Sequence, residues 1–113
     1  MAVQKKHFDR VGGFDSVNLK VACNDVDLCL KFIEIGLRNL YTPHAVLFHH
    51  ESATRGYEDT PEKKARFKNE VDHMWKRWPS LMANDPAYSP NLTLDHEDFG
   101  LAWPPRVRHA EPI

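Results

Sequence analysis

The stretch NDVDLCLKFIEIG, residues 24–36, constrains the fold most, because apolar side chains cover most of one predicted helix. One apolar stripe has the spacing i, i+3, i+4, i+7 and consists of Val26, Cys29, Leu30 and Ile33. A second apolar stripe consists of Leu28, Phe32 and Ile35, which leaves a polar line of Asp27, Lys31 and Glu34. Such a helix is expected to pack inside a larger body, with Asn24 or Asp25 capping its start and Gly36 its end.

Two short strand candidates follow this helix. The segments LRNLYTP and AVLFHH are rich in strand-forming residues and are separated around Pro43 and His44. A helix followed by strands predicts an α/β fold. Upstream, Met1–Val3 is a candidate strand remnant and residues 4–11 a short helix, which the glycine pair Gly12 and Gly13 is expected to end.

A long helix is predicted after residue 60. Thr60 is expected to cap it, Pro61 suits its first position, and Pro79 is expected to end it. Its predicted inward face follows i, i+4, i+7, i+11 and consists of Phe67, Val71, Met74 and Trp78. Residues 1–79 are therefore predicted to form one domain, and residues 80–113, rich in proline and asparagine, an extended tail packed through Tyr88, Leu92, Phe99 and Trp103.

The composition narrows the classes of function. Fifteen lysines and arginines against 16 aspartates and glutamates give a net charge of -1, which argues against a nucleic-acid partner. Cys23 and Cys29 lack the CxxC spacing and are predicted to be buried free thiols, as in a reducing compartment. No apolar run reaches the length of a membrane span or of a signal-peptide core, so we expect a cytoplasmic location.

Three short motifs carry candidate chemistry. Asp25 in NDVD could act as a general base toward a hydroxyl or could cap a helix, and one residue can do both. His49 or His50 in HHE could bind a metal or simply form a hydrogen bond at a strand end. Arg55 in SATRG has the donors to bind a phosphate, and a surface salt bridge is an equal alternative.

The order of three segments is more distinctive than any of these motifs alone. FDRVGGFD, then NDVDLCLKFIEIGLRNLYTPHAVLFHHESATRG, then DPAYSPNLTLDHEDFGL together resemble the C-terminal part of family 2 glycosyltransferases. The nearest likeness is to bacterial enzymes that build O-antigens and other surface polysaccharides. The resemblance implies a GT-A fold, in which a mixed α/β sheet holds a nucleotide-sugar site at its strand ends. This chain would be its incomplete C-terminal portion.

The resemblance also implies roles for individual residues. Asp25 matches the base that deprotonates the acceptor hydroxyl, and His49 matches a metal ligand. Arg55 resembles a residue of a loop that closes over the diphosphate, and Asp27 matches a structural or acceptor-binding position. The substrate-binding residues so implied are Gly12, Gly13, Asp15, Asn24, Asp27 and Arg55.

The resemblance further implies the ligands. The complete enzyme is expected to use a divalent cation, Mg or Mn, and to move a sugar with inversion from a nucleotide-diphosphate donor to a glycan or lipid-linked acceptor. A peripheral position at the inner face of the membrane is a variant of the expected cytoplasmic location. The family's N-terminal half, with its DxD motif, has no counterpart here. The chain alone is therefore expected to be inactive, and to form a homo-oligomer or to need that missing half.

Two other functions are consistent with the residues. One is a non-catalytic interaction module that retains the glycosyltransferase motifs without using them. The other is a small metal-binding protein whose ligands would be His44, His49, His50 and Glu51.

Overall fold

The computed structural model describes residues 1–48, 60–96 and 98–106. They belong to two compact units, Met1–Arg77 and Trp78–Ile113. The helices are α1 at Lys5–Arg10, α2 at Asn24–Glu34, α3 at Pro61–Arg77 and α4 at Pro79–Ala83. In the described residues, strand-like pairing is limited to one isolated antiparallel bridge between Leu92 and Leu101.

Helix α1 ends where the glycine pair predicted it would. Gly12 and Gly13 both have a left-handed backbone, with φ of 77° and 66°. The Gly13 N–H donates to the Phe8 carbonyl at 2.9 Å, and the Gly12 N–H donates to the Asp9 carbonyl at 3.1 Å. These two bonds satisfy carbonyls that the end of a helix leaves without partners, and they need residues that tolerate positive φ.

Helix α2 starts differently from the prediction. Its N-cap is Cys23, with φ 61°, and not Asn24 or Asp25, which are already helical. The Cys23 carbonyl accepts the first helical bond, from the Asp27 N–H at 2.9 Å. The predicted end at Gly36 is confirmed, since Gly36 has φ 81° and the Leu37 N–H donates back to the Phe32 carbonyl at 2.9 Å.

The face that α2 buries is also different. Its buried residues are Asp27, Leu28, Lys31 and Phe32. Two members of the first apolar stripe, Val26 and Ile33, are each 47% exposed. Asp27 and Lys31 belong to the predicted polar line of this helix, and the structure buries both because each finds a partner of opposite charge.

Helix α3 begins as predicted. The Thr60 hydroxyl accepts a hydrogen bond from the Lys63 N–H at 3.3 Å, and the helix stops at Arg77, just before Pro79 opens α4. Its predicted apolar face is only partly correct, because Met74 is 1% exposed while Phe67 is 45% exposed. Glu70 is buried beside Met74 on this helix. The core of the first unit is made of Leu19, Leu28, Phe32 and Met74.

Residues 37–48 contain neither helix nor strand. The strands predicted at LRNLYTP and AVLFHH are therefore not formed there; His49 and His50 lie outside the described residues. A strand needs a neighbour with which it exchanges backbone hydrogen bonds. Several large apolar side chains here are 78% to 91% exposed, namely Leu40, Tyr41, Val46, Leu47 and Phe48.

Arg106 joins several parts of the second unit. Arg106 donates to the carbonyls of Ser89 and Leu92 at 3.1 to 3.2 Å, and its guanidinium lies 5.9 Å from the centre of the Tyr88 ring. Tyr88 also packs on Phe99, with ring centres 6.3 Å apart. The predicted packing through Tyr88 is thus formed, whereas Trp103 is 92% exposed. None of the helices in the described residues has the length and apolar character required to cross a membrane.

Candidate functional site

The GGFD loop is fixed to both α1 and α2. Gly13 is buried, and a Cβ added to it would lie 2.8 Å from the Phe8 ring. That ring meets Phe14 edge to face, with centres 5.3 Å apart. The Gly13 carbonyl accepts a hydrogen bond from the buried Lys31 ammonium at 3.0 Å. Gly13 therefore fixes the loop against two helices, while Gly12 stays exposed.

Asp15 organises the loop that follows. Its Oδ1 accepts from the N–H groups of Val17 and Asn18, at 3.1 and 2.9 Å, and its Oδ2 accepts from the Asn18 side-chain amide at 2.9 Å. The Asn18 backbone N–H, followed by its side-chain amide, lowers the pKa of Asp15. His73 Nε2 on α3 lies 3.5 Å from Oδ2. Much of this carboxylate is used in shaping the loop.

Asp27 is fully buried between two cations. Its Oδ2 lies 2.9 Å from the ammonium of Lys31, one helical turn away, and its Oδ1 lies 3.2 Å from Nε of Arg77 on α3. The side chain is 0% exposed. Of the two roles predicted for Asp27, this environment favours the structural one, because a buried carboxylate that keeps its charge must be paired.

Glu70 of α3 holds the backbone that leads into α2. Its two carboxylate oxygens accept from the N–H groups of Val21 at 3.1 Å and Ala22 at 2.8 Å. Glu70 is 2% exposed. Ala22 immediately precedes Cys23, the left-handed residue at which α2 starts.

One face of α3 therefore connects the GGFD loop, the segment before α2 and the NDVD motif. Glu70, His73 and Arg77 are spaced i, i+3, i+7, and they contact the segment 21–22, Asp15 and Asp27 respectively. Apolar periodicity does not reveal this stripe, because its members are charged or polar. The signal that could have found it is the helical spacing of Glu70, His73 and Arg77.

Asp25 differs from the other two aspartates of these motifs. It lies in the first turn of α2 and is exposed, and its Oδ1 accepts from the neighbouring Val26 N–H at 2.9 Å. Burial, and then the charge of Asp25, raises the pKa of the Cys29 thiol one turn along. An exposed carboxylate on a rigid helix start can reach a bound hydroxyl and take its proton.

An open cleft lies along the same helix. It has a volume of about 620 Å³ and is lined by Cys29 and Phe32 of α2, by residues 1–4 and His7, and by residues 37–40. Its lining is mostly apolar. Through Cys29, the cleft lies beside the helix face that carries Asp25.

The remaining predicted residues are distributed as follows. Asn24 is half-buried at the first position of α2, next to Asp25. Arg55 and His49 lie outside the described residues, as do His50 and Glu51. His44 is exposed, and within residues 1–48, 60–96 and 98–106 no three histidine, cysteine or acidic side chains converge as a metal site would require.

Two curated proteins are similar to this chain. It is 52% identical over 104 residues to the uncharacterized protein y4gI of Sinorhizobium fredii, an alignment that covers 92% of this chain and 11% of that protein. It is 34% identical over 99 residues to the O-antigen biosynthesis protein RfbC of Myxococcus xanthus, covering 88% of this chain and 7% of that protein. The chain thus spans about a tenth or less of the length of the curated relatives it matches.

No family model matches the chain, and no solved structure matches it significantly. The similarity is therefore to a segment of much longer proteins, one of which is named for O-antigen biosynthesis.

Proposed function

We propose that this chain is the acceptor-side part of a glycosyltransferase that works in the synthesis of a surface polysaccharide. The 34% identity to a protein named for O-antigen biosynthesis supports this, as does the order of the GGFD and NDVD motifs. The donor would be a nucleotide-diphosphate sugar, the acceptor a hydroxyl of a glycan or of a lipid-linked sugar, and the complete fold of the GT-A type.

In this proposal Asp25 is the catalytic base. The observation that carries it is the contrast among three aspartates: the Asp15 oxygens are bound by loop donors, Asp27 is buried between cations, and Asp25 is exposed. Asp25 would take the proton of the acceptor hydroxyl while the hydroxyl oxygen bonds to the anomeric carbon of the donor sugar. The bond from that carbon to the diphosphate breaks, the diphosphate leaves with the electron pair, and the configuration inverts.

The donor side rests on the sequence resemblance. A divalent cation, Mg or Mn, would neutralise the charge that develops on the diphosphate. His49 is the candidate ligand for it and Arg55 a candidate phosphate contact, and both lie outside the described residues. The described residues of this chain provide no such cation site.

A segment exchange tests the proposal. The 99 residues of RfbC that align with this chain would be replaced by those of this chain, and O-antigen production would be measured in a strain that lacks RfbC. We expect the exchanged protein to restore production and its Asp25→Asn form to fail. Asp9→Asn is the matched control, because Asp9 is an exposed carboxylate on α1 paired with Lys5 at 2.6 Å.

Two results would contradict the proposal. One is an exchanged protein that accumulates in folded form and restores nothing. The other is an Asp25→Asn form that restores production as well as the wild-type segment does. The second result would instead favour the interaction module, for which the exposed apolar side chains between residues 40 and 48 are the supporting observation.

A further inference from the structure

Glu70 is an unusual residue to bury. It lies in the middle of α3, it is 2% exposed, and both of its oxygens are directed at backbone N–H groups 48 and 49 residues away in the chain. Nε of Arg66, one turn back on the same helix, lies 4.0 Å from Oε1 of Glu70, and the Arg66 side chain is 34% exposed. Each oxygen of the buried Glu70 carboxylate also accepts a hydrogen bond from a peptide group.

Those two peptide groups lie directly before the start of α2. Val21 and Ala22 are followed by Cys23, whose φ of 61° turns the chain into α2. Asn24 and Asp25 are the next two residues and begin the first turn of α2. A non-glycine residue with positive φ is unfavourable by itself, so its neighbours must hold it in place. Glu70 anchors Val21 and Ala22, the two residues that precede Cys23.

We propose that Glu70 is the positioning residue for Asp25. This inference rests on the proposed function, in which Asp25 is the base. Glu70 fixes the peptides at 21 and 22, these fix the left-handed Cys23, and Cys23 sets the direction in which the first turn of α2 presents Asp25. Glu70 does not touch substrate. It acts through three residues of backbone.

The same helix makes this anchor rigid. His73, one turn along α3 from Glu70, lies 3.5 Å from Asp15, and Arg77 lies 3.2 Å from Asp27 in the first turn of α2. The GGFD loop, the segment 21–22 and the first turn of α2 therefore all contact one face of α3. A proton acceptor loses efficiency when its geometry relaxes by a fraction of an ångström, so such support has a function in catalysis.

Substitutions at Glu70 test the inference in two measurements. Glu70→Gln keeps the shape but turns one oxygen into an amide donor that faces a backbone donor, whereas Glu70→Asp keeps both oxygens on a shorter side chain. In the isolated chain, amide hydrogen exchange of Val21 and Ala22 should accelerate about tenfold or more in Glu70→Gln, as expected when a hydrogen bond to a charged group is lost. Residues 23–26 should exchange faster as well, and Glu70→Asp should show a smaller change.

The second measurement is sugar transfer by the segment-exchanged protein. We expect Glu70→Gln to lower kcat about tenfold or more with little change in the KM of the donor, because the base is displaced and donor binding is not. Met74→Ala is the matched control: it removes a buried side chain of α3 that is 1% exposed and destabilises the fold while leaving the Glu70 carboxylate in place. At equal loss of stability, this control should keep kcat.

The outcomes separate the two claims. If Asp25→Asn abolishes transfer but Glu70→Gln leaves kcat or the exchange of residues 21–26 unchanged, the positioning role is wrong and the proposed base stands. If Met74→Ala lowers kcat as much as Glu70→Gln does, Glu70 contributes stability alone and the inference is overturned. If Asp25→Asn leaves transfer unchanged, the proposed function itself fails, whatever Glu70 does.

Discussion

The guanidinium Nε of Arg77 lies 3.2 Å from the buried Asp27 carboxylate. This contact joins the end of α3 to α2 across 50 residues of chain. Asp27 is also the partner of Lys31, which is 7% exposed, so the aspartate neutralises a buried ammonium as well.

Removing Asp27 should therefore be severe. Asp27→Ala leaves the Lys31 charge buried without its partner, and we expect a loss of about 3–5 kcal/mol in the free energy of unfolding, measured by urea denaturation. Arg77→Ala should be milder. Asp27 keeps Lys31 as a partner, and water can enter the space left by the Arg77 side chain, which is 37% exposed. Asp72→Ala is the control: it breaks an exposed pair with Lys68 and should change stability by less than about 1 kcal/mol. Equal losses for Asp27→Ala and Asp72→Ala would contradict the buried pair.

Gly13 and Gly12 should respond differently to the same substitution. Both have positive φ, so alanine at either should cost about 1–2 kcal/mol in backbone conformation. At Gly13 the new methyl group would also lie 2.8 Å from Phe8, whereas nothing lies within 4 Å at Gly12. We expect Gly13→Ala to lose about 1–3 kcal/mol more than Gly12→Ala in thermal unfolding. Phe8→Leu should recover part of that difference. A double-mutant cycle of Gly13→Ala and Phe8→Leu that gives no coupling energy would show that the loop does not pack on Phe8.

These contacts also show what the sequence could and could not predict. The ends of α1 and α2 at Gly12, Gly13 and Gly36, and the start of α3 at Thr60, follow from local backbone chemistry and were predicted. The buried faces were not, because Asp27 and Glu70 are buried by partners 50 and 48 residues away, which periodicity cannot reveal. The exposed Asp25 was predicted as a candidate base, and Glu70, which supports the turn before it, was not found.

The two thiols report on the charges around the start of α2. Burial raises the pKa of both; Asp25 raises it further at both, and Glu70 does so at Cys23. We expect slow alkylation of both thiols near neutral pH. Asp25→Asn should lower both pKa values and speed up both reactions, while Glu70→Gln should act on Cys23 alone. Site-resolved mass spectrometry of the alkylated chain across the thiol titration gives the rates.

The sign of the linked stability change follows from the same shifts. A thiol whose folded-state pKa is raised favours its neutral form on folding, so its contribution to stability is present below the ordinary value of 9.0 and falls as pH rises through the higher folded value. In the alkylation experiment, a faster reaction of Cys23 but not of Cys29 in Asp25→Asn would show that Asp25 does not face the side of α2 that carries Cys29.

The exposed apolar segment predicts self-association. Leu40, Tyr41 and Phe48 are each more than 80% exposed, and apolar side chains grouped in this way tend to be covered by another surface. We expect light scattering of the purified chain to give at least the mass of a dimer. Replacing Leu40 and Phe48 by serine should lower that mass, while replacing the isolated exposed Val17 should not. A monomeric mass for the wild-type chain would contradict this expectation.

If Asp25 takes the proton of an acceptor hydroxyl, its loss must slow sugar transfer by the purified segment-exchanged protein. The rate would be measured as release of nucleoside diphosphate from a panel of nucleotide sugars, with wild-type, Asp25→Asn and Asp9→Asn segments. We expect Asp25→Asn to lower kcat by about a hundredfold or more with the donor KM unchanged, the loss typical of removing a general base, and Asp9→Asn to have no effect. A kcat for Asp25→Asn equal to that of the wild-type segment would contradict it.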